Sequence, residues 1–462
     1  MRELTRKWKK SKRSCLKREG SRKVKLSADK YIKLIRKIDP VRVNGKITQI
    51  IGLTIESQGP DVRIGELCTI YPAQSETSIQ AEVVGIKENK VLLMPLGEVQ
   101  AIGPGCDVVA SGKPITVKAG HPLLGRILDG LGQPLDGKPI PLGLEEVQIN
   151  AKPPNPLTRP RIHTPLSVGV RTIDGLLTMG KGQRMGIFAG SGVGKSTLLG
   201  MIARNTTADV NVIALIGERG REVLDFIEQN LGEEGLKKSV VIVATSDQPA
   251  LIRIKGALTA TAIAEYFRDQ GKDVMLVMDS VTRFAMAQRE IGLAIGEPPT
   301  TKGYTPSVFA MLPQLLERAG TGPKGSITAI YTVLVDGDDM NEPIADAVRG
   351  ILDGHIVLNR AIGGKGIYPA IDVLASASRV MTEITSDEHQ NAARNFKKFL
   401  AAYHDAEDLI NIGAYKKGSN RDIDMALRLK PKMDQFLRQG IYETSNFDEA
   451  ISFLQSQFGA MM

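Results

Sequence analysis

The stretch that decides the fold is Ala189-Gly190-Ser191-Gly192-Val193-Gly194-Lys195-Ser196-Thr197. It follows an apolar run, Met185 to Phe188, and precedes a helix-like run that starts at Leu198. A strand, a glycine-rich loop and a helix in this order are typical of a P-loop, in which glycines let backbone N–H groups surround a phosphate. We therefore predict that these nine residues bind a nucleoside triphosphate.

Two side chains of the P-loop have expected roles. The ammonium group of Lys195 is expected to reach the β- and γ-phosphates, and the hydroxyl of Ser196 to bind Mg²⁺. The strict pattern begins with Gly where this chain has Ala189, which fits if the backbone φ of Ala189 is negative. The alternative is a glycine-rich turn that ends in Lys-Ser by chance. The motif indicates a bound triphosphate but neither hydrolysis nor its purpose.

Length and composition are those of an ordinary globular protein with several domains. The chain has 462 residues, of which 42% are hydrophobic and 24% charged, which predicts two to four domains. No apolar run approaches a membrane span in length, and we expect no signal peptide. Cys15, Cys68 and Cys106 are too scattered for a disulfide framework or a Cys-x-x-Cys metal site, so we expect reduced thiols in a cytoplasmic protein.

The positive charge is concentrated at the N-terminus. Residues 1–25 hold 12 of the 60 Lys and Arg and 2 of the 51 Asp and Glu, so the other residues, with 48 basic and 49 acidic side chains, carry a net charge of −1. A near-neutral body argues against a specific nucleic-acid partner. The basic tail is either a solvated, disordered extension or a segment that binds acidic lipid, nucleic acid or an acidic partner.

The periodicity of the apolar residues divides the chain into segments. Short strands punctuated by glycines predict a small β-barrel, alternating strands and helices predict an α/β domain with a mostly parallel sheet, and the C-terminal part reads as helical. The expected segments are 1–26 (basic disordered tail), 27–38 (helix), 39–111 (β-barrel), 112–166 (connector), 167–379 (α/β domain) and 380–462 (helical domain).

Individual elements follow from the same pattern. In the α/β domain the expected strands are Met185–Phe188, Val210–Ile216, Val240–Val243, Val274–Met278 and Ile327–Val333. In the C-terminal domain the expected helices are Thr385–Leu409, Arg421–Arg438 and Phe447–Phe458.

Hydrolysis also requires a carboxylate for Mg²⁺ and a group that polarises water. Asp279 ends the apolar run Val274–Met278, which is a Walker B pattern that delivers one carboxylate beside the P-loop; the alternative is an Asp that caps the next turn. Glu218 follows the strand Val210–Ile216 and is expected at the same edge of the sheet. There Arg219 is expected to contact phosphate and Glu222 to hold a Mg²⁺-bound water, unless these residues form only a solvated charged loop.

Five segments resemble the rotary ATP synthase α/β superfamily, and within it the flagellar and type III protein-export ATPases. The Pro369-Ala-Ile-Asp-x-x-x-Ser-x-Ser378 segment is similar to the superfamily signature. The others are Gly217–Glu222, which is similar to the loop of catalytic subunits, and Asp279–Pro299, Gly303–Gly320 and Asp408–Gly418, which are similar to the export branch, the flagellar form more than the virulence form.

The resemblance implies that the α/β domain 167–379 is a RecA-like ATPase domain, and that six identical subunits form a ring that hydrolyses ATP with Mg²⁺ at the subunit interfaces. It implies that Glu218 is the catalytic carboxylate, that Arg379 reaches the γ-phosphate of the neighbouring subunit, and that Tyr368 packs on the adenine. It also implies a location at the inner face of the cytoplasmic membrane and partners: a stalk-like regulator at the N-terminus, a central coiled-coil protein, the membrane export gate, and export substrates with their chaperones. From its sequence context alone, Arg379 is an unremarkable arginine after a serine-rich turn.

Two other functions share the same core. A ring-shaped nucleic-acid translocase is disfavoured by the near-neutral body and by the lack of an aromatic-rich basic motif. A non-catalytic subunit of a rotary proton ATPase would lack the catalytic carboxylate that Glu218 provides.

Overall fold

The structure is a computed structural model that describes residues 43–72, 77–97, 101–335, 337 and 339–459. The predicted basic tail and the predicted helix 27–38 lie outside the described residues. Among the described residues no helix is long and apolar enough to cross a membrane.

The first domain is a closed six-stranded barrel. Its strands follow the spatial order β1-β2-β5-β4-β3-β6, and their inward side chains, among them Ile55, Leu93 and the two buried cysteines Cys68 and Cys106, form a separate apolar core. The strands are β1 (Gly45–Ile51), β2 (Thr54–Gln58), β3 (Glu66–Tyr71), β4 (Ile79–Lys87), β5 (Lys90–Pro95) and β6 (Asp107–Pro114). The predicted small β-barrel is confirmed.

The segment 112–166, which we interpreted as a connector, is more structured than expected. It contains β7 (Thr116–Ala119), β8 (Arg126–Asp129) and β9 (Glu145–Gln148). Strands β7 and β9 pair with each other, whereas β8 joins the edge of the large sheet of the next domain. Four residues are too few for a recognisable strand period. Strand β8 is placed by its parallel pairing with that sheet, and Arg126 at its start forms an ion pair with Asp136 at 2.5 Å.

The central domain is built on a mostly parallel sheet of nine strands among the described residues. Two short strands, β10 (Pro165–Leu166) and β11 (Met179–Gly180), pair outside it. The sheet follows the order β19-β18-β12-β17-β15-β13-β14-β8, with β16 beside β17 and β19 antiparallel to β18. Its remaining strands are β12 (Arg184–Ala189), β13 (Val210–Ile216), β14 (Ser239–Ala244), β15 (Asp273–Asp279), β16 (Gly320–Thr321), β17 (Ser326–Leu334), β18 (Gly354–Leu358) and β19 (Ile371–Ser378).

All five strands predicted for this sheet are present, each extended by at most one residue at either end. Their near-continuous apolar sequences are explained by burial on both faces. Side chains alternate between two cores, so that Phe188 packs in one and Ile187 in the other.

Helices cover both faces of the sheet. The helices are α1 (Arg171–Leu176), α2 (Lys195–Asn205), α3 (Gly220–Asp225), α4 (Gly232–Lys237), α5 (Ala250–Asp269), α6 (Val281–Ala294), α7 (Pro306–Leu316), α8 (Pro343–Ile351) and α9 (Arg360–Gly364). Helices α5 to α8 share one core with the sheet, and α2 shares the other with the C-terminal helices. Lys255 of α5 forms a buried ion pair with Glu82 of β4 at 2.6 Å, which fastens the barrel to the central domain.

The C-terminal domain is helical, as predicted. Its helices are α10 (Met381–Ile384), α11 (Asp387–Asn411), α12 (Arg421–Leu437) and α13 (Phe447–Leu454), the last continued by a π-helical turn at Gln455–Gly459. The starts of α11, α12 and α13 are set by Ser386, Asn420 and Asn446, whose side chains accept hydrogen bonds from backbone N–H groups of the first turn.

Candidate active site

The P-loop connects β12 to α2 and has the predicted strand–loop–helix geometry. Ala189 is the last residue of β12 and is fully buried. Gly192 and Gly194 have positive φ angles of 76° and 89°, which L-residues rarely adopt. Gly194 directly precedes α2, so the loop ends on the helix N-terminus. This conformation is the phosphate-binding one expected from the sequence.

The loop lines a cavity of about 470 Å³ at the carboxyl edge of the sheet. Every P-loop residue except Val193, which is buried, borders this cavity. The other lining residues are Glu218, Arg219, Glu222, Arg283, Leu334 and Val335. Of the predicted site residues, Glu218, Arg219 and Glu222 are therefore brought to the loop, as the ends of neighbouring parallel strands require.

Lys195 lies between two carboxylates. Its ammonium group forms a short ion pair with Asp279 at the end of β15 and lies 3.6 Å from Oε1 of Glu218. Burial disfavours the charged lysine, but the attraction of Asp279 and Glu218 outweighs it, so the net effect raises the pKa of Lys195. The hydroxyl of Thr332 on β17 donates to Oδ1 of Asp279 at 2.7 Å, which fixes the carboxylate beside the loop.

Glu218 has the electrostatics of a proton acceptor. Its side chain is 13% exposed, and burial together with the negative charge of Asp279 raises its pKa to about 7, against the attraction of Lys195. Its Oε1 is buried and makes no hydrogen bond with the described residues. A carboxylate with a pKa near neutrality, whose acceptor atom is ion-paired with Lys195 but not hydrogen-bonded within the described part of the chain, suits a group that polarises water.

Arg219 and Glu222 lie at the rim of the cavity. They pair with each other at 3.1 Å, and their side chains are 78% and 47% exposed. A hydrogen bond with Glu218 lowers the pKa of Glu222. Both side chains are free to reorient toward a ligand, because exposed ion pairs of this kind contribute little stability.

The oxygen-rich edge fits a magnesium ion. The hydroxyl of Ser196 and the carboxylates of Asp279 and Glu222 are hard oxygen donors, which Mg²⁺ prefers. No group of three or more His, Cys, Asp or Glu side chains that could hold a metal occurs in the part of the chain that the structure describes. A Mg²⁺ held by one or two protein oxygens, phosphate and water agrees with that finding.

Tyr368 lies at the same edge of the sheet as the P-loop. It lies three residues before the first residue of β19, Ile371, which pairs with Leu358, and Leu358 pairs with Ala189. Its side chain is half exposed, and its carbonyl oxygen accepts a hydrogen bond from the backbone N–H of Gln439 at 2.8 Å. An exposed ring at this position is available to a base.

Arg379 lies at the opposite edge. Strand β19 runs antiparallel to β18, so Ser378 pairs with Gly354 at the end remote from the P-loop. The five residues of β18 place that end roughly 13 Å from the P-loop edge at the usual strand rise. Arg379 is exposed, and its guanidinium group donates a hydrogen bond to the carbonyl oxygen of Arg349 at 3.4 Å. The structure therefore does not bring Arg379 into the cavity of its own chain.

Sequence reasoning missed three residues at the site. Arg283 lines the cavity with a buried Nε that lacks a hydrogen-bond partner among the described residues, Thr332 orients Asp279, and Arg360 contacts the P-loop. Arg283 could have been predicted from the sequence, because it lies only four residues, about one helical turn, after Asp279. The other two come from β17 and α9, and only the sheet order reveals their proximity.

Three segments match known protein families. Residues 47–112 and 169–378 match the β-barrel and nucleotide-binding domains of the ATP synthase alpha/beta family. Residues 385–456 match the C-terminal domain of the type III secretion ATPase EscN. A flagellum-specific ATP synthase of Bacillus subtilis is 60% identical over 435 residues, which cover 94% of this chain and 99% of that protein.

The chain belongs to the flagellar and type III secretion ATPases. A flagellum-specific ATP synthase of Salmonella typhimurium is 52% identical over 431 residues, covering 90% of this chain and 94% of the relative. The assembled ATPase EscN of enteropathogenic E. coli superposes with a TM-score of 0.85 at 49% identity, over 90% of this chain and all of that one. The resemblance inferred from the motifs is confirmed, and this family member is an ATPase.

Proposed function

We propose that this ATPase hydrolyses ATP in a ring of six identical subunits. The hydrolysis energises the export of flagellar proteins across the cytoplasmic membrane. The observation that carries this proposal is that the predicted catalytic residues lie at two opposite edges of the central sheet. Lys195, Asp279 and Glu218 lie together at the P-loop, whereas Arg379 lies at the other edge of the sheet. The cavity becomes complete when a second subunit presents its Arg379 there.

The residues of one subunit bind and orient the nucleotide. The N–H groups of the loop and the ammonium group of Lys195 bind the phosphates, and Tyr368 packs on the adenine. Ser196 and Asp279 would hold Mg²⁺, with Glu222 acting through a water molecule, and the ion would supply positive charge to the phosphate oxygens. Arg219 contacts phosphate at the rim. Glu218 accepts a hydrogen bond from the attacking water, for which its raised pKa and an Oε1 that makes no hydrogen bond with the described residues suit it.

The neighbouring subunit supplies Arg379. A guanidinium group at the γ-phosphate neutralises charge that develops as the phosphoryl group is transferred. Because Arg379 has no carboxylate partner among the described residues, its charge is available to a phosphate. Activity then depends on assembly.

The proposal extends to partners and location. One solved relative is the assembled ATPase EscN in complex with its central stalk EscO, at a TM-score of 0.83, and we propose an equivalent central coiled-coil protein for this chain. The proposal further includes a stalk-like regulator at the N-terminus, the membrane export gate, and export substrates with their chaperones. The enzyme then works in the cytoplasm, at the inner face of the membrane.

The test uses mixed rings. Lys195→Ala subunits lack a working P-loop but keep Arg379, and Arg379→Ala subunits keep the P-loop. Each variant alone should be inactive, whereas mixtures should recover ATPase activity at the interfaces that combine an intact P-loop with an intact arginine. Mixtures that assemble but stay as inactive as either parent would exclude action between subunits. Mixing the double variant Lys195→Ala/Arg379→Ala with either parent is the control and should restore nothing.

A further inference from the structure

Arg360 touches the P-loop of its own subunit. Its Nη2 donates a hydrogen bond to the carbonyl oxygen of Ser191 at 3.1 Å. The contact follows from sheet register: Ala189 at the end of β12 pairs with Leu358 at the end of β18, so the chains two residues beyond each strand lie side by side. Asn359 reinforces this, because its side chain caps α9 by accepting from the N–H of Ala361 at 2.9 Å.

The contact fixes the direction of one N–H group of the loop. A trans peptide unit is planar, and its C=O and N–H point in opposite directions. A carbonyl of Ser191 held by Arg360 therefore directs the N–H of Gly192 to the other side. Gly192 lines the cavity and has a φ of 76°. Glycine adopts positive and negative φ angles about equally well, so the residue itself does not fix this conformation. Without a partner for the Ser191 carbonyl, this peptide unit would be free to rotate.

The other end of the same segment is bound to the C-terminal domain. We call residues 360–368 the strap. Lys365 of the strap bonds both carboxylate oxygens of Glu407 on α11 at 2.7 Å, and this bond lowers the pKa of Glu407. The strap ends at Tyr368, whose carbonyl oxygen accepts from the N–H of Gln439 after α12. One nine-residue segment thus connects the P-loop to two sites on the helical domain.

We propose that Arg360 is a positioning residue for phosphate binding, and that the Lys365–Glu407 pair holds it in place from the C-terminal domain. The inference rests on nucleotide binding at the P-loop, but on neither the ring nor Arg379. A displacement of α11 relative to the sheet would then change phosphate affinity through the strap.

The test measures binding of Mg-ADP and of inorganic pyrophosphate to the full chain by calorimetry, because binding does not require the neighbouring arginine. Arg360→Ala should weaken both ligands by roughly five- to tenfold, the effect of losing one charge-assisted hydrogen bond at a partly exposed site. Arg360→Lys should recover part of the affinity. Tyr368→Ala should weaken ADP but leave pyrophosphate unchanged, which separates phosphate positioning from adenine contact.

The anchor is tested by three further variants. Lys365→Met and Glu407→Gln should each weaken pyrophosphate by roughly two- to threefold, a modest effect because exposed ion pairs are weak, and the exchange Lys365→Glu/Glu407→Lys should restore wild-type affinity. Lys398→Met is the matched control, since it breaks the Lys398–Asp422 pair within the same domain, which is 2.8 Å long and does not touch the strap.

Three results would overturn the inference. Wild-type pyrophosphate affinity in Arg360→Ala excludes the positioning role. Reduced affinity in Arg360→Ala with wild-type affinity in both anchor variants excludes the role of Lys365 and Glu407. Equal losses in Lys398→Met show a general loosening of the helical domain. Failure of the wild-type chain to bind ADP would instead refute the nucleotide site itself.

Discussion

The two edges of the central sheet differ in charge and in completeness. At the P-loop edge, opposite charges are buried in contact, with Lys195 between Asp279 and Glu218. At the other edge, Arg379 is exposed near a second arginine, Arg349, whose carbonyl oxygen it contacts. The first edge holds buried, paired charges, whereas at the second edge Arg379 presents a positive charge that has no carboxylate partner among the described residues.

The difference shows which part of the chemistry one subunit performs. Buried, paired charges hold their positions before the substrate arrives, which is what preorganised electrostatic catalysis requires. The exposed side chain of Arg379 is not fixed by such pairing and is accessible to an anion. Variants at the two edges should therefore lose different properties. Variants at the P-loop edge should lose nucleotide binding or proton transfer, whereas variants at the remote edge should lose only turnover.

The largest effect is expected at the remote edge. Arg379→Ala should lower kcat by roughly 10³- to 10⁵-fold, as for arginine fingers in other nucleotide hydrolases, while the affinity of the isolated chain for Mg-ADP stays at the wild-type value. Steady-state ATPase assays and calorimetry measure the two quantities. Arg394, an exposed arginine of α11, is the matched control for loss of a positive charge. A parallel loss of ADP affinity in Arg379→Ala would place this residue at its own P-loop and erase the contrast between the edges.

The next largest effect is expected for Glu218→Gln. The amide keeps the shape of the side chain but cannot accept a proton, so kcat should fall by roughly 10²- to 10⁴-fold with little change in nucleotide affinity. Single-turnover measurements of phosphate release check this. Glu233→Gln is the matched control, because Glu233 is an exposed carboxylate of α4 that does not line the cavity. Wild-type turnover of Glu218→Gln would remove Glu218 from the mechanism.

The pH dependence tests the same carboxylate in the wild-type enzyme. The acceptor must be ionised, and the pKa of Glu218 is raised to about 7. Below that pH the ionised fraction falls, so log(kcat/KM) should decline by about one unit per pH unit on the acid side and level off above it. The positive charge of Lys195 attracts the ionised form of Glu218. In the residual activity of Lys195→Met, the acid-side decline of log(kcat/KM) should therefore shift to higher pH. A flat profile between pH 5 and 8 would contradict the assignment.

The smallest effect is expected at the rim. Arg219→Ala should lower kcat/KM by less than roughly fivefold, because its exposed ion pair with Glu222 is worth about 1 kcal/mol or less. ATPase assays at low substrate concentration measure it. Arg219→Lys keeps the charge and should lie closer to the wild type. A loss as large as that of Glu218→Gln would mean that Arg219 enters the cavity when nucleotide binds.

The sequence alone predicted the strands that form apolar runs and the site residues that belong to short local motifs. The five buried strands were found because burial on both faces favours near-continuous apolar runs, as in Val240–Val243. Strands β8, β16, β18 and β19 of the same sheet were missed. Each is short or partly exposed and contains polar residues, such as Asp372 in β19, so its pattern resembles that of a loop.

The sequence by itself determined the P-loop, Asp279 and Glu218, because each directly follows a buried strand and parallel strands deliver their carboxyl ends to one edge. It did not determine where Arg379 lies. That depends on the direction of β19: a parallel strand would have carried Arg379 to the P-loop, and the antiparallel one carries it away. Likewise, the contact of Arg360 with Ser191 arises from the adjacency of β12 and β18, which are 165 or more residues apart in the chain. Sheet order and strand direction are long-range properties, and only the tertiary structure decides them.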